Sequence, residues 1–265
     1  MIVALRSGED TPLPWGSVTD CEIVTSQPNQ LAALLSEARS DRIGRVIIDC
    51  TAVDFALSDF PLSDLGSANR LYSLIFVCRP GNPDLIEESI GSHNQVWWYI
   101  PYLFEPGVIE SKRTLLQKRL GEFRGGELTI RVGNRNRQAE ISGSMLPLYF
   151  RGTPKGVRRS NRPPGVIYSY DDIAIFVGSA ASSGSTTSIS GTFACSGGSI
   201  VFNSGDNRIT LHPAGASPRF LPLPEGDGTY YFMRELLRSI PGDGGSPIST
   251  EIVRKAFSIT DRAEG

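Results

Sequence analysis

The chain has 265 residues, of which 40% are hydrophobic and 20% are charged, so it can bury a core as one large domain or two smaller ones. Its formal net charge is −2, and no apolar run approaches the roughly 18 residues that a membrane-spanning helix needs. The sequence therefore predicts a cytoplasmic protein with no membrane partner, since the first residues also lack the pattern of a signal peptide.

The cysteines and histidines limit the possible chemistry further. The four cysteines are widely spaced without a CxxC pair, which predicts reduced thiols; they are Cys21, Cys50, Cys78 and Cys195. With only His93 and His212, no ligand spacing indicates a metal site, and we expect none.

The first part of the chain alternates short apolar runs with helical patterns. Strands are predicted over 2–5, 22–25, 45–50, 73–78 and 96–100, and helices over 28–39, 84–90 and 110–123. Each strand is too apolar to leave one face in water, so we expect a largely parallel sheet covered by helices. No G-x-G-x-x-G or GxxxxGK[ST] motif follows these strands, and the sequence predicts no cofactor.

The pattern changes after Arg124. Strands are predicted over 127–132, 145–150, 166–170, 173–177, 199–202 and 208–211, separated by Gly-, Ser- and Pro-rich loops over 151–165 and 178–191. Helices return over 229–240 and 249–257. The predicted fold class is mixed α/β, with an α/β region over 1–124 and a β-rich, loop-rich region over 125–265 that ends in two helices.

Charge is concentrated in the segment 124–162, which carries nine basic and only two acidic residues. Such a cluster attracts phosphate, nucleic acid or an acidic protein surface, and arginine fits phosphate through its planar fork. We expect the contacts to come from Arg131, Arg135, Arg137, Lys155, Arg158, Arg159 and Arg162. The alternative is that these cations are solvated or paired with the chain's own acidic flanks, and the sequence leaves the oligomeric state open.

A second candidate site lies in the stretch FACSGGSIVFNSGDNRITLHPAG, residues 193–215. The step from Ser196 to Gly198 resembles the nucleophile segment of chymotrypsin-like peptidases, in which backbone N–H groups converge on an oxyanion. That resemblance implies a hydrolase with Ser196 or Cys195 as nucleophile and His212 as its base. Cys195 replaces the acid that usually precedes the serine.

Two further resemblances concern short segments. Residues 208–240 are similar to the closing strand and helix pair of caspase-like peptidases, which implies a Cys195 thiol activated by a histidine, although the preceding strand end offers none. Asp49 ends a strand where receiver-like domains carry their phosphoacceptor. Solvated or capping aspartates are the simpler explanation.

Every catalytic arrangement considered lacks at least one required partner, whereas the basic segment needs none. We therefore expect a non-catalytic binding or regulatory protein that uses 124–162 to engage a polyanion or an acidic partner. The alternative is a peptidase-type hydrolase that uses Ser196 or Cys195 with His212.

Overall fold

A computed structural model describes residues 2–6, 13–17, 21–25, 45–51, 73–81, 83–90, 95–132, 137–181, 188–239 and 246–264. The chain divides into two compact units. Unit 1 comprises residues 1–99 and 232–250, and unit 2 comprises residues 100–231 and 251–265.

Unit 1 contains a five-stranded parallel sheet. Its strands are β1 (Ile2–Arg6), β2 (Cys21–Thr25), β3 (Arg45–Cys50), β4 (Ser73–Cys78) and β5 (Gln95–Trp98), in the order β2-β1-β3-β4-β5. A 3-10 turn at Trp15–Ser17 lies between β1 and β2, and helix α1 (Pro83–Ile90) follows β4. The β3 residues from Val46 onward and the β4 residues from Leu74 onward are buried throughout, as expected for strands covered on both faces.

Unit 2 is built on an eight-stranded mixed sheet. Its strands are β6 (Phe123–Val132), β7 (Gly156–Asn161), β8 (Pro164–Ser169), β9 (Ala174–Ala181), β10 (Ser188–Cys195), β11 (Gly198–Asn203), β12 (Arg208–Pro213) and β13 (Arg219–Pro222). The order is β13-β12-β11-β10-β6-β9-β8-β7, with β6 and β9 parallel and the other pairs antiparallel. Strand β7 therefore lies at one end of the sheet.

Five more helices complete the described chain: α2 (Pro101–Phe104), α3 (Pro106–Leu116), α4 (Arg137–Arg151), α5 (Gly228–Ser239) and α6 (Thr250–Glu264). In unit 2, α3 packs on β11 and β12, and α4 packs on β9. A buried hydroxyl chain joins β8 to α4 and α6, because Tyr168 Oη donates to Ser144 Oγ at 2.8 Å and Ser144 Oγ lies 3.2 Å from Thr260 Oγ1. In the part of the chain that is described, no helix has the length and apolarity to cross a bilayer.

The predicted fold class, mixed α/β with an N-terminal parallel sheet and a larger β-rich second part with helices, is confirmed. The strand predicted over 145–150 is wrong, since these residues form the last turns of α4. Its apolar run fits a buried helix as well as a strand, and periodicity alone does not separate the two. Strands β7, β10 and β13 were not predicted, and the predicted helix over 28–39 lies outside the described residues.

The helix predicted over 110–123 begins earlier and ends earlier, as α3 covers Pro106–Leu116 and β6 starts at Phe123. The helix was predicted from the helical spacing of Leu115, Leu116 and Leu120, but Leu116 is 71% exposed, so this spacing does not mark one buried face. Helix α6 is longer than the predicted 249–257.

Candidate functional site

The structure places Cys195, Ser196 and His212 in one antiparallel part of unit 2. Cys195 ends β10, Ser196 lies in the turn that leads to β11, and His212 belongs to β12, opposite Ser199 of β11. His212 is exposed, whereas the Cys195 side chain is half-buried.

The backbone donors of this turn are already used. Ser196 N donates to Glu122 O and Gly197 N donates to Leu120 O, each at 2.8 Å. Ser196 Oγ accepts a hydrogen bond from Glu122 N at 2.9 Å. An oxyanion hole needs N–H groups that point at the reacting oxygen, and these two point into the fold.

The thiol of Cys195 is also unsuited to nucleophilic attack. Burial raises its pKa above the ordinary value of 9.0, which keeps the sulfur protonated at neutral pH. The thiolate is the reactive form, so this environment opposes the chemistry of a cysteine peptidase.

The carboxyl edge of the parallel sheet in unit 1 holds a second set of polar groups. Asp49, near the end of β3, is 1% exposed, and its Oδ2 accepts a hydrogen bond from Trp15 Nε1 at 2.7 Å. Its Oδ1 accepts from Thr51 N at 2.9 Å and from Thr51 Oγ1 at 2.6 Å. Three donors thus hold this buried carboxylate, whereas the sequence favours a solvated or capping group.

Two thiols lie beside this carboxylate. Cys50 and Cys78 are direct neighbours across β3 and β4, and both are buried. Burial, followed by the contact with Cys78, raises the pKa of the Cys50 thiol well above its ordinary value of 9.0. Cys50 therefore stays a thiol at neutral pH. Among the described residues, no group of three His, Cys, Asp or Glu side chains could hold a metal ion.

The predicted basic residues that the structure describes lie on different elements of unit 2. Arg131 is exposed on β6, Arg137 begins α4, and Arg162 is exposed in the turn between β7 and β8. Arg135 lies outside the described residues. Arg124, the first cation of the segment, is 3.8 Å from Asp172.

One cavity in unit 2 is lined by three of the predicted cations and by two cations that were not predicted as contacts. Lys155, Arg158 and Arg159 line a cavity of about 650 Å³ in unit 2, together with Arg254 and Lys255 of α6. About one hundred residues of chain separate the two groups, so no local pattern could have joined them. The signal that was available is the pair of adjacent cations, Arg254 and Lys255, on the predicted last helix.

No protein-family model and no curated protein sequence matches the chain. Solved structures do. An oxidoreductase from Agrobacterium radiobacter, in complex with NAD+, L-tartaric acid and magnesium, is 12% identical with a TM-score of 0.69, covering 99% of this chain and 95% of that one. A protein assigned as an NADPH-dependent oxidoreductase from Desulfitobacterium hafniense is 11% identical with a TM-score of 0.71, covering 99% and 94%.

Biliverdin reductase from Synechocystis, in complex with biliverdin and NADP+, has the same fold. It is 11% identical with a TM-score of 0.62, and the match covers 99% of this chain and 97% of the reductase. The likeness spans both units, so this chain has the fold of these oxidoreductases.

The function predicted from the sequence is therefore wrong in both its forms. A non-catalytic polyanion-binding protein is contradicted by a fold whose similar structures are oxidoreductases and dehydrogenases. The peptidase alternative fails on the same finding, and the occupied N–H groups of Ser196 and Gly197 give the physical reason.

The residues of this chain do not fit the usual cradle for a dinucleotide. That cradle is a glycine-rich turn after the first strand, with an acidic or basic side chain after the second strand for the ribose. Here Ser7-Gly8-Glu9-Asp10 follows β1, and Ser26-Gln27 follows β2. At the end of β3, the buried carboxylate of Asp49 stands where sheets of this order place their ligands.

Proposed function

We propose that this protein is an oxidoreductase that acts on a small organic substrate. The observation that supports the proposal is the end-to-end structural likeness to oxidoreductases, which covers 98–100% of this chain in each of the eight comparisons. A match over one short segment could reflect a common supersecondary motif. A match that extends through both unit 1 and unit 2 needs more than one shared sheet.

The geometry of unit 1 adds to this support. In the order β2-β1-β3-β4-β5, strand β2 lies on one side of β1 and strand β3 lies on the other side. The direction of the strand order therefore reverses between β1 and β3, which makes the crevice there the topological switch point. Ligands of open parallel sheets bind there, at the carboxyl ends of the strands. Asp49 and Thr51 lie at that end of β3.

A nicotinamide dinucleotide is the first cofactor to test, because similar structures hold NAD+ or NADP+. Since the glycine-rich cradle is missing, binding to this chain would need phosphate contacts of another kind. A cytoplasmic location remains part of the proposal, supported by the widely spaced cysteines of the sequence.

The test is a titration of the purified chain with NADH and, separately, NADPH. All three tryptophans belong to unit 1, so energy transfer from indole to the reduced nicotinamide reports a bound dinucleotide. We expect saturable transfer with one of the two and its loss when ADP-ribose competes. A folded protein that shows no transfer with either dinucleotide, and no nicotinamide absorbance change with hydroxy acids or sugars, would contradict the proposal.

A further inference from the structure

Unit 2 contains a cavity whose described lining carries several positive charges. Its volume is about 650 Å³, and its cations come from the β7 region (Lys155, Arg158 and Arg159) and from α6 (Arg254 and Lys255). Among the described residues that line it there is no aspartate or glutamate. Thr153 and Ser258 add hydroxyl groups, and Val157 and Ile259 add apolar surface.

Both lysines of the cavity lining have an acidic partner. Lys155 Nζ forms an ion pair with Asp171, and Lys255 Nζ lies 2.7 Å from Glu251 Oε1. These pairs are exposed, so each contributes little to stability and leaves the ammonium groups available to a second anion. The described structure gives Arg159 no ion-pair partner.

Arg158 and Arg159 both line the cavity, and the strand register shows that their side chains leave β7 in opposite directions. Val157 pairs with Tyr168, and Arg159 pairs with Val166, so these side chains leave the sheet on one face. Tyr168 Oη reaches Ser144 of α4, and Ser144 in turn contacts Thr260 of α6, which makes this the face that the helices cover. Arg159 therefore points to the side of α6.

Arg158 leaves the same strand on the opposite face. It pairs with Ile167, which alternates with Val166 and Tyr168. Both arginines are exposed and carry the same charge, so they differ mainly in the direction of the guanidinium group. Arg162, in the turn after β7, is also exposed and is not among the described residues that line the cavity, so it provides the matched control.

We propose that this cavity binds a small organic anion through a phosphate or carboxylate group held by Arg159, Lys155 and Lys255. A guanidinium fork donates two parallel hydrogen bonds to such a group, and ammonium groups add charge without demanding one geometry. The apolar surface of Val157 and Ile259 fits the carbon part of the ligand, and the volume lies within the usual range for small-molecule sites. This site goes beyond the proposed oxidoreductase function and does not depend on it.

The test is isothermal titration of the full chain at low salt with three probes: glucose 6-phosphate, citrate and glucose. We expect one or both anions to bind and glucose to show no heat. Stronger binding of the phosphate ester identifies a phosphate site, and stronger binding of citrate identifies a carboxylate site. Glucose binding as tightly as its phosphate ester, or no heat with either anion, would overturn the proposal.

Two variants separate a built site from general electrostatic attraction. Arg159→Gln should weaken anion binding at least about tenfold, while Arg162→Gln, outside the cavity lining, should change it by less than about twofold, because a bidentate contact is lost only in the first. Equal losses in both variants would show only the effect of net charge and would refute the site. If Arg159→Gln fails to fold, Ser258→Phe on the exposed side of α6 should block binding by filling the cavity.

The same preparations also distinguish this proposal from the oxidoreductase function. NADH titration of Arg159→Gln should match the wild-type result, whatever that result is. A wild-type protein that binds glucose 6-phosphate but shows neither dinucleotide binding nor a nicotinamide absorbance change would contradict the oxidoreductase proposal and support the cavity.

Discussion

Trp15 and Asp49 are 34 residues apart in the chain, yet the indole Nε1 of one donates to the carboxylate Oδ2 of the other at 2.7 Å, and both side chains are buried. The bond fixes the 3-10 turn after β1 to the carboxyl end of β3. Because a buried carboxylate is costly without donors, the Trp15 indole and the two donors of Thr51 stabilise Asp49 at this position.

Replacing Trp15 with phenylalanine should lower the free energy of unfolding more than the same change at Trp97. Both tryptophans are 1% exposed, so the loss of buried ring area is similar. Within the described residues Trp97 Nε1 has no hydrogen-bond partner, whereas Trp15 Nε1 donates to Asp49. Urea unfolding should show an extra loss of about 1–3 kcal/mol for Trp15→Phe. Equal losses would mean that the indole–carboxylate bond adds nothing.

Removing the hydroxyl of Tyr168 should destabilise unit 2. This group donates to Ser144 Oγ at 2.8 Å in a buried place, so Tyr168→Phe leaves the hydroxyl chain one donor short while the ring stays. The expected cost is about 1–2 kcal/mol in urea unfolding. Tyr230→Phe is the control, since that ring is 52% exposed, and should be neutral. A neutral Tyr168→Phe would count against the hydroxyl chain as a stabilising feature.

Stability should depend on pH through Glu105. Burial raises the pKa of this carboxyl above its ordinary value of 4.5, even though Gly228 N donates to its Oε1 at 3.0 Å. The folded state then holds the proton to a higher pH than the unfolded state. Glu105 therefore contributes stability at low pH that is lost as the pH rises from about 4.5 through the raised value.

Thermal unfolding between about pH 4 and about pH 7 should show that loss in the wild type and a flatter profile in Glu105→Gln. The contribution of Glu122 to stability depends on pH in the opposite direction, because its exposed carboxylate accepts a hydrogen bond from Lys118 that lowers its pKa. Its contribution is lost as the pH falls. A Glu105→Gln profile that parallels the wild type would refute the assignment.

Two glycines with positive φ should respond differently to alanine. Gly198 has φ +144°, and a Cβ there would collide with the carbonyl oxygen of His212. Gly215 has φ +71° and open space around the same position, so Gly215→Ala should cost about 1–2 kcal/mol for backbone strain alone. Gly198→Ala should cost about 1–3 kcal/mol more because β11 and β12 must separate. Chemical unfolding of both variants measures the difference.

Among the described residues, the strands of unit 1 were predicted better than those of unit 2 for a physical reason. Strands β3 and β4 were predicted with the observed bounds, since short apolar runs bounded by polar or turn residues have few alternatives. The run MLPLYF was assigned to a strand, but Pro147 lies inside helix α4, where packing against β9 outweighs local preference. Strand β7 was not predicted because the segment around it, residues 151–165, is rich in glycine, proline and arginine, a composition typical of a loop.

The site was harder to predict than the fold. The turn at Ser196 has the glycines of an oxyanion hole, yet its N–H groups bind Leu120 and Glu122, which no local pattern shows. Only part of the cavity lining was predicted, since Lys155 and Arg159 were predicted as contacts from their charge and Arg254 was not. Hydrogen bonds and cavities join distant segments, so they follow from the tertiary fold and not from spacing along the chain.

The position of β7 at the end of the larger sheet has a consequence for self-association. An outermost strand offers free backbone groups to any other strand, and it invites aggregation when it is flat and apolar. Here Arg158 and Arg159 place one cation above and one below that border. A second molecule that approached edge to edge would bring its own pair of cations against them, so repulsion keeps neighbouring copies from growing into a continuous sheet.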